Sequence, residues 1–228
     1  MKRIFRFIKR TFILLFIAQL IYIVILKWVN PPITITQFNS WVEGHGLNRD
    51  YIAYDAMPEN IKLAVIASED QKFAVHNGFD REGIKKALEF NQKNQRQKMR
   101  GGSTISQQVA KNVFLWQKRS WFRKGLEVYF TFMIEQIWGK KRILEMYLNV
   151  SETGIGTFGI EAGSQRYFQK PASQLTRNEA ARIAVNLPNP KKYAVNPPGP
   201  YVSQRAKWVE RQMRNLESDP EIRELIKE

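Results

Sequence analysis

Two carboxylates in this chain keep contrasting company. Glu69 falls four residues after Val65 and eight after Ile61, the next position on an apolar helical stripe that Pro58 is well placed to open. A carboxylate continuing such a stripe is partly desolvated, which raises its pKa towards that of a useful general base. The plainer alternative is a boundary glutamate paired with a nearby Lys or Arg. Glu127 instead follows Arg119, Arg123 and Lys124, with Lys111 further upstream. Arg123 and Lys124 precede it at i−4 and i−3, so all three can meet on one helix face, plainly read as a surface ion pair worth well under ~1 kcal/mol. Read as chemistry, such a cluster of cations suits an anion. A leaving group that is already a stable anion needs positive charge more than it needs a proton.

The elements that must hold these groups are legible in outline. In Arg100–Asn112, RGGSTISQQVAKN, Thr104 and Gln107 have capping-box spacing and predict a helix start. Ile105, Val109 and Val113 make its buried stripe, and Gln107, Gln108 and Lys111 lie off it. The Gly-Gly turn ahead of that start offers N–H groups to an anion; an ordinary capped helix is the plain alternative. After Glu69, Phe73 and His76 are expected to continue the same face, and Asp80 to cap a helix through Ile84 and Leu88. Asn91–Arg100 has no core-facing period and reads as a mobile basic loop, either a solvated linker or a lid in contact with an acyl chain. Ser120–Trp138 predicts an amphipathic helix with Phe122, Leu126, Phe130, Met133 and Ile137 buried. Gly139 closes it, and Lys140–Asn149 forms the next. Ser151–Gly159 reads as a Gly-rich loop. Thr176 and Glu179 cap a helix ending near Pro188, and Val202, Ala206, Val209, Met213 and Leu216 line a terminal one. The expected fold class is mainly α, with almost no strand signal beyond a short alternating stretch at Ile33–Thr36.

Four blocks in order, E-D-x-x-F-x-x-H-x-G-x-D from Glu69, G-G-S-T-I-S-Q-Q-x-x-K-N from Gly101, R-K-x-x-E from Arg123 and K-x-x-I-L-E-x-Y-L-N from Lys140, resemble the peptidoglycan glycosyltransferases of family 51. The likeness runs from about Tyr54 to about Met213 and is nearest to the short, monofunctional type. It implies a lysozyme-like, two-lobed domain that polymerises lipid II into β-1,4 glycan, inverting C1 and releasing undecaprenyl pyrophosphate. It implies Glu69 as general base and Glu127 as the second glutamate, beside the donor pyrophosphate. Gln107, Gln108, Lys111, Arg119, Arg123 and Lys124 would bind donor phosphates and sugars, with Ser103, Thr104 and Asn112 in the same substrate-binding block. Asp70, Phe73 and His76 would shape the site around Glu69. No cofactor is obligatory; Mg2+ or another divalent cation near Glu127 is the one ion the resemblance admits. Ser106 where threonine is commoner and Trp121 where some members have phenylalanine keep the hydroxyl and the aromatic. No S-x-x-K or K-[ST]-G occurs, so a transpeptidase half is not expected.

Composition sets bounds on this reading. Cysteine is absent and only His45 and His76 occur, against a disulfide framework, a thiolate metal site or a His-rich one. Net charge is +15. Residues 1–30 carry six basic residues and no acid, which leaves 30 basic against 21 acidic residues elsewhere, a balance suited to an anionic partner. Five positive charges precede the apolar run Phe12–Val29, 18 residues, short for a span of ~20 unless Lys27 snorkels. This predicts an uncleaved single-pass anchor with its N-terminus cytoplasmic; the resemblance implies a bacterial inner membrane and a periplasmic domain. The expected organisation is a basic tail (1–10), anchor (11–29), linker (30–53), glycosyltransferase domain (54–216) and C-terminal tail (217–228). Expected partners are lipid II, the growing glycan strand, membrane lipid and other cell-wall synthases or division proteins, and no nucleic acid. The rivals are a membrane-anchored lysozyme-like lytic enzyme and a non-catalytic basic membrane protein.

Overall fold

The computed structural model describes residues 2–93 and 101–227. Its helices are α1 (Lys2–Ile25), α2 (Ile35–Val42), α3 (Glu59–Glu69), α4 (Arg81–Lys93), α5 (Ile105–Phe114), α6 (Trp121–Ile137), α7 (Lys140–Val150), α8 (Ile160–Phe168), α9 (Arg177–Asn186), α10 (Pro200–Leu216) and α11 (Pro220–Ile226). The fold is mainly α, as the helical periodicities require.

Helix α3 is the hub. Every residue from Ile61 to Ala67 is buried, because α9, α10 and α11 cover it. Its large side chains each contribute about 1.5–3 kcal/mol by burial. Lys62 shares that interior: its Nζ donates to the Ile226 carbonyl at 3.3 Å and lies 4.0 Å from the Tyr54 ring centroid. Tyr54 Oη donates to the Leu225 carbonyl at 2.6 Å. With Ile222, Leu225 and Ile226 buried, α11 packs on the domain and is no loose tail. Helix α5 packs on α6 and α7 to make the second group. Its capping box forms as spaced, with Thr104 Oγ1 accepting from Gln107 N and Gln107 Oε1 accepting from Thr104 N. The capping box at Thr176 and the buried stripe of α10 also form.

Several expectations change. Ile33–Thr36 is not a strand: Thr34 caps α2, and Gln37 closes a capping box that the alternation hid. The 151–159 loop holds β2 (Glu152–Gly154) and β3 (Thr157–Phe158) in antiparallel pairing, with β1 (Asn48–Arg49) parallel to β3. Gly156 makes this possible: at φ +66° a Cβ would stand 2.0 Å from the His45 carbonyl oxygen. Helix α3 ends at Asp70, so Phe73 and His76 do not continue its face but lie in the turn that follows. Asp80 caps α4 by accepting from Gly83 N at 3.0 Å, though Leu88 is exposed. Asn91–Lys93 complete α4; residues 94–100, the rest of the expected basic lid, lie outside the described residues.

Helix α6 departs in part from expectation. Phe130, Met133 and Ile137 of the expected stripe pack partly buried against the core, whereas Phe122 is 73% exposed. The fully buried positions are Arg123, Glu127, Thr131 and Ile134, so the first turns of the helix set charged side chains deeper than apolar ones. Helix α1 lies against α6. Nearly all of it is exposed until Ile23 and Leu26, whose side chains are fully buried. Trp138 Nε1 donates to the Ile23 carbonyl at 2.8 Å, and Arg142 donates to the carbonyls of Leu26 and Val29, each at 3.0 Å.

Candidate active site

A cleft of about 1040 Å3 runs between the end of α3, the start of α4, α5, the start of α6 and α10. Glu69 closes α3 and reaches this cleft. Gln108 Nε2 donates to Glu69 Oε2 at 2.8 Å, and Tyr147 Oη donates to Gln108 Oε1 at 3.2 Å, so the amide cannot flip without losing a bond. Burial pushes the Glu69 carboxyl above its ordinary pKa. The Gln108 hydrogen bond works against that, Asp70 adds to it, and the positive charges of Arg205 and Lys111 oppose it. The balance is a carboxylate whose proton affinity is raised but tunable, the property a base near neutral pH needs.

Asp70 is buried directly behind Glu69 and is already engaged. Its Oδ2 accepts from Ile105 N at 3.0 Å, and its Oδ1 lies 2.9 Å from His76 Nε2. Gly78 N donates to His76 Nδ1 at 3.1 Å, which assigns the ring proton to Nε2 and makes His76 the donor to Asp70. The pair therefore ties the end of α3 to the start of α5. It also bears on the anion site expected at the Gly-Gly turn. Ile105 N is taken by Asp70, Thr104 N by Gln107, and Gln107 N by Thr104 Oγ1, so three donors at the start of α5 are used internally. Positive charge in the cleft comes from side chains instead.

Those side chains stand on α5 and α6. Ser120 caps α6 by accepting from Arg123 N at 3.1 Å. One turn in, Glu127 is buried, with Oε2 accepting from Arg123 Nη1 at 3.0 Å and Oε1 from Lys124 Nζ at 2.5 Å. Lys111 approaches from α5; burial holds its ammonium pKa below the usual lysine range, the Glu127 charge opposes that, and Arg123, Lys124 and Arg119 reinforce it. Arg119, on the loop between the two helices, is exposed. One buried carboxylate thus bonds two cations, Arg123 and Lys124, while Lys111 and Arg119 add positive charge to the same wall of the cleft. A divalent ion would find at Glu127 a carboxylate whose two oxygens are already bonded, and among the described residues no group of three or more His, Cys, Asp or Glu side chains gathers to hold one.

Of the residues expected in the site, Glu69, Asp70, Ser103, Thr104, Gln107, Gln108, Lys111, Arg119, Arg123, Lys124 and Glu127 line the cleft. Three do not. Phe73 is fully buried beneath Lys140, whose Nζ is 4.6 Å from the ring centroid. His76 bears on the cleft only through Asp70, and Asn112 turns to Gln117, 3.5 Å away. The structure adds Arg205, Trp208 and Gln212 of α10, and Lys72 and Lys86 on the α4 side. The guanidinium of Arg205 stacks on the Trp208 ring, 3.6 Å from its centroid. The signal for these residues was the polar side of an α10 stripe read only for its apolar side.

Residues 35–214 match the protein-family model described as Transglycosylase. The chain belongs to the transglycosylase family. It is therefore a glycosyl-transferring enzyme, and the mainly helical domain agrees with a lysozyme-like fold. It is 47% identical over 208 residues to the biosynthetic peptidoglycan transglycosylase of Pseudomonas aeruginosa, covering 89% of each chain. It is 45% identical over 224 residues to the protein of that name from Shewanella oneidensis, covering 94% of this chain and 93% of the relative. It is 51% identical over 187 residues to the one from Escherichia coli, covering 81% and 77%.

Proposed function

We propose that this transglycosylase polymerises the glycan of peptidoglycan, taking lipid II as substrate and leaving cross-linking to other enzymes. The observation that carries the reading is the two-sided cleft: a half-buried carboxylate of raised proton affinity on one wall, and a surplus of positive charge around Glu127 on the other. Glu69 takes the proton from the 4-hydroxyl of the acceptor sugar. The hydroxyl oxygen attacks C1 of the growing strand from the face opposite the pyrophosphate, the C1–O bond to that group breaks, and undecaprenyl pyrophosphate departs with the bonding electrons. Attack from the opposite face inverts C1 and gives a β-1,4 linkage. Lys111, Arg119, Arg123 and Lys124 stabilise the charge gathering on the leaving oxygens, so no protonated acid is needed there. Glu127 keeps the cations in place through its bonds to Arg123 and Lys124. A lytic enzyme expels a sugar alkoxide and needs a proton donor at the second carboxylate; here both Glu127 oxygens accept hydrogen bonds from Arg123 and Lys124.

Helix α1 supports the lipid-linked substrate. It is 24 residues long with a mean hydropathy of 2.0 in its most apolar window, little of which is covered by protein. We read it as a single span with its N-terminus in the cytoplasm and the cleft outside, because Lys2, Arg3, Arg6, Lys9 and Arg10 crowd its start. Trp121, 93% exposed, and Phe122, 73% exposed, lie in the chain between Arg119 and Arg123, which line the cleft, and are suited to a polyprenyl chain whose pyrophosphate meets those cations. Purified full-length protein given lipid II should yield a polymer that muramidase digests. Shortening of added glycan, with no new polymer, would instead establish the lytic activity.

A further inference from the structure

Helix α2 is built inside out. Its buried residues are Thr36, Gln37 and Ser40, while Ile35, Phe38, Trp41 and Val42 are exposed. The polar side is held inwards by specific bonds. Gln37 Oε1 accepts from Arg49 Nη1 at 3.1 Å and from Tyr51 Oη at 3.2 Å, and Gln117 Nε2 donates to Thr36 Oγ1 at 2.6 Å. Turning the helix over to hide its apolar face would break all three. In water that face would expose two aromatic and two branched aliphatic side chains on two turns of helix, with Phe38 and Trp41 side by side, their ring centroids 6.2 Å apart. Contiguous apolar surface of this kind marks an interaction site.

The height of α2 relative to α1 follows from one short stretch of chain. Tyr22, one turn before the end of α1, packs edge-on against Phe114 with ring centroids 6.2 Å apart. Three residues beyond Phe114, Gln117 holds Thr36 of α2. The outer end of α1 and the body of α2 are therefore fastened to the same short stretch at the end of α5. Between the two helices Trp28 is also exposed, with Lys27 Nζ over its ring at 5.3 Å, an aromatic and a cation of the kind that settle at a membrane boundary.

We propose that α2 is an interfacial helix: it lies on the outer leaflet with Ile35, Phe38, Trp41 and Val42 among the lipids, its polar side bonded to the protein. The occupant of this face is the bilayer, because α2 is fastened to the same short stretch as the end of α1 that leaves the membrane. Amphipathic helices of this type sink ~5–10 Å into the boundary between headgroups and acyl chains. Gln117, which holds α2, also lines the cleft, so the helix fixes the cation wall at the depth where a lipid pyrophosphate lies. The inference rests on the reading of α1 as a membrane span.

The chain has no cysteine, so Phe38→Cys and Trp41→Cys each create one labelling position on an exposed side chain. The test uses full-length protein in phosphatidylethanolamine–phosphatidylglycerol vesicles, an environment-sensitive fluorophore on the thiol, and lipids brominated either near the headgroup or near the chain end. Leu15→Cys in mid-α1 and Ser218→Cys on the exposed distal surface are the references. Labels at 38 and 41 should emit to the blue of the label at 218, resist aqueous iodide, and be quenched more by the shallow bromine than by the deep one. Iodide-accessible emission with no lipid quenching, while the label at 15 is quenched by deep bromine, would overturn the interfacial helix and leave the span intact. Labels shielded from iodide yet untouched by bromine would mean a protein cover, such as a second copy, and would also overturn it. A label at 15 without lipid quenching would overturn both readings.

Discussion

Glu69 is the base in the mechanism proposed above. Glu69→Gln keeps the shape and can still accept from Gln108, but it cannot take a proton. Polymerisation from lipid II should fall by ~10²-fold or more, the scale of losing a positioned acid–base group. Its folded pKa is raised above the unfolded value, so its charged form is the one that folding disfavours. That penalty is absent below the ordinary glutamate range and grows as pH rises through the raised pKa. The Gln variant should therefore melt at or slightly above the wild-type temperature at neutral pH, with the difference vanishing as pH falls into that range. A melting temperature well below wild type at pH 7 would make Glu69 a structural carboxylate. Lys111→Ala removes a half-buried cation from the opposite wall, and affinity for the donor-mimicking phosphoglycolipid moenomycin should drop while the fold survives. Eleven of the fourteen residues singled out from sequence reach the cleft, because local spacing and motif fix them together. Support was harder to see: that Asp70 is held by His76 and Ile105, or that Arg205 approaches Glu69, depends on elements far apart in the chain.

Helix α6 shows how an apolar period can mislead. Periodicity finds the face that avoids water; it does not say whether protein or lipid meets that face. Phe122→Ser should hardly move the unfolding midpoint of detergent-solubilised protein, whereas Ile134→Ala, at a fully buried position outside the expected stripe, should cost about 2–5 kcal/mol. The same reasoning covers α11. A short segment after a long helix carries too few residues for a period, so it reads as a tail. Ile222 is fully buried beside the carbonyls that receive Tyr54 and Lys62, and Ile222→Ala should likewise lose about 2–5 kcal/mol. Capping boxes were the most dependable local signals. Thr104 and Thr176 open their helices as spaced, since those bonds are satisfied within four residues and owe little to tertiary context. The three-stranded sheet was invisible for the opposite reason: strands of two or three residues have no alternation to detect, and β1 meets β3 across more than a hundred residues.

For the molecule as a whole, the charge step across α1 predicts that a reporter fused after Glu228 is active only outside the cytoplasm. Activity of that fusion inside would reverse the orientation and remove lipid II from reach of the cleft. The docking of the outer end of α1 has a further consequence. Ile23 and Leu26 are embedded in the catalytic body, and Trp138 and Arg142 hold the backbone there. On the proposed reading of α1 as a span, the anchor is a keel, not a tether: these contacts resist swivelling of the domain on it. What remains is gliding in the plane and spinning about the membrane normal. Every strand would leave at one set angle to the bilayer, and tension on a strand already fixed in the wall would be felt by the span itself, turning or towing the whole enzyme through the lipid.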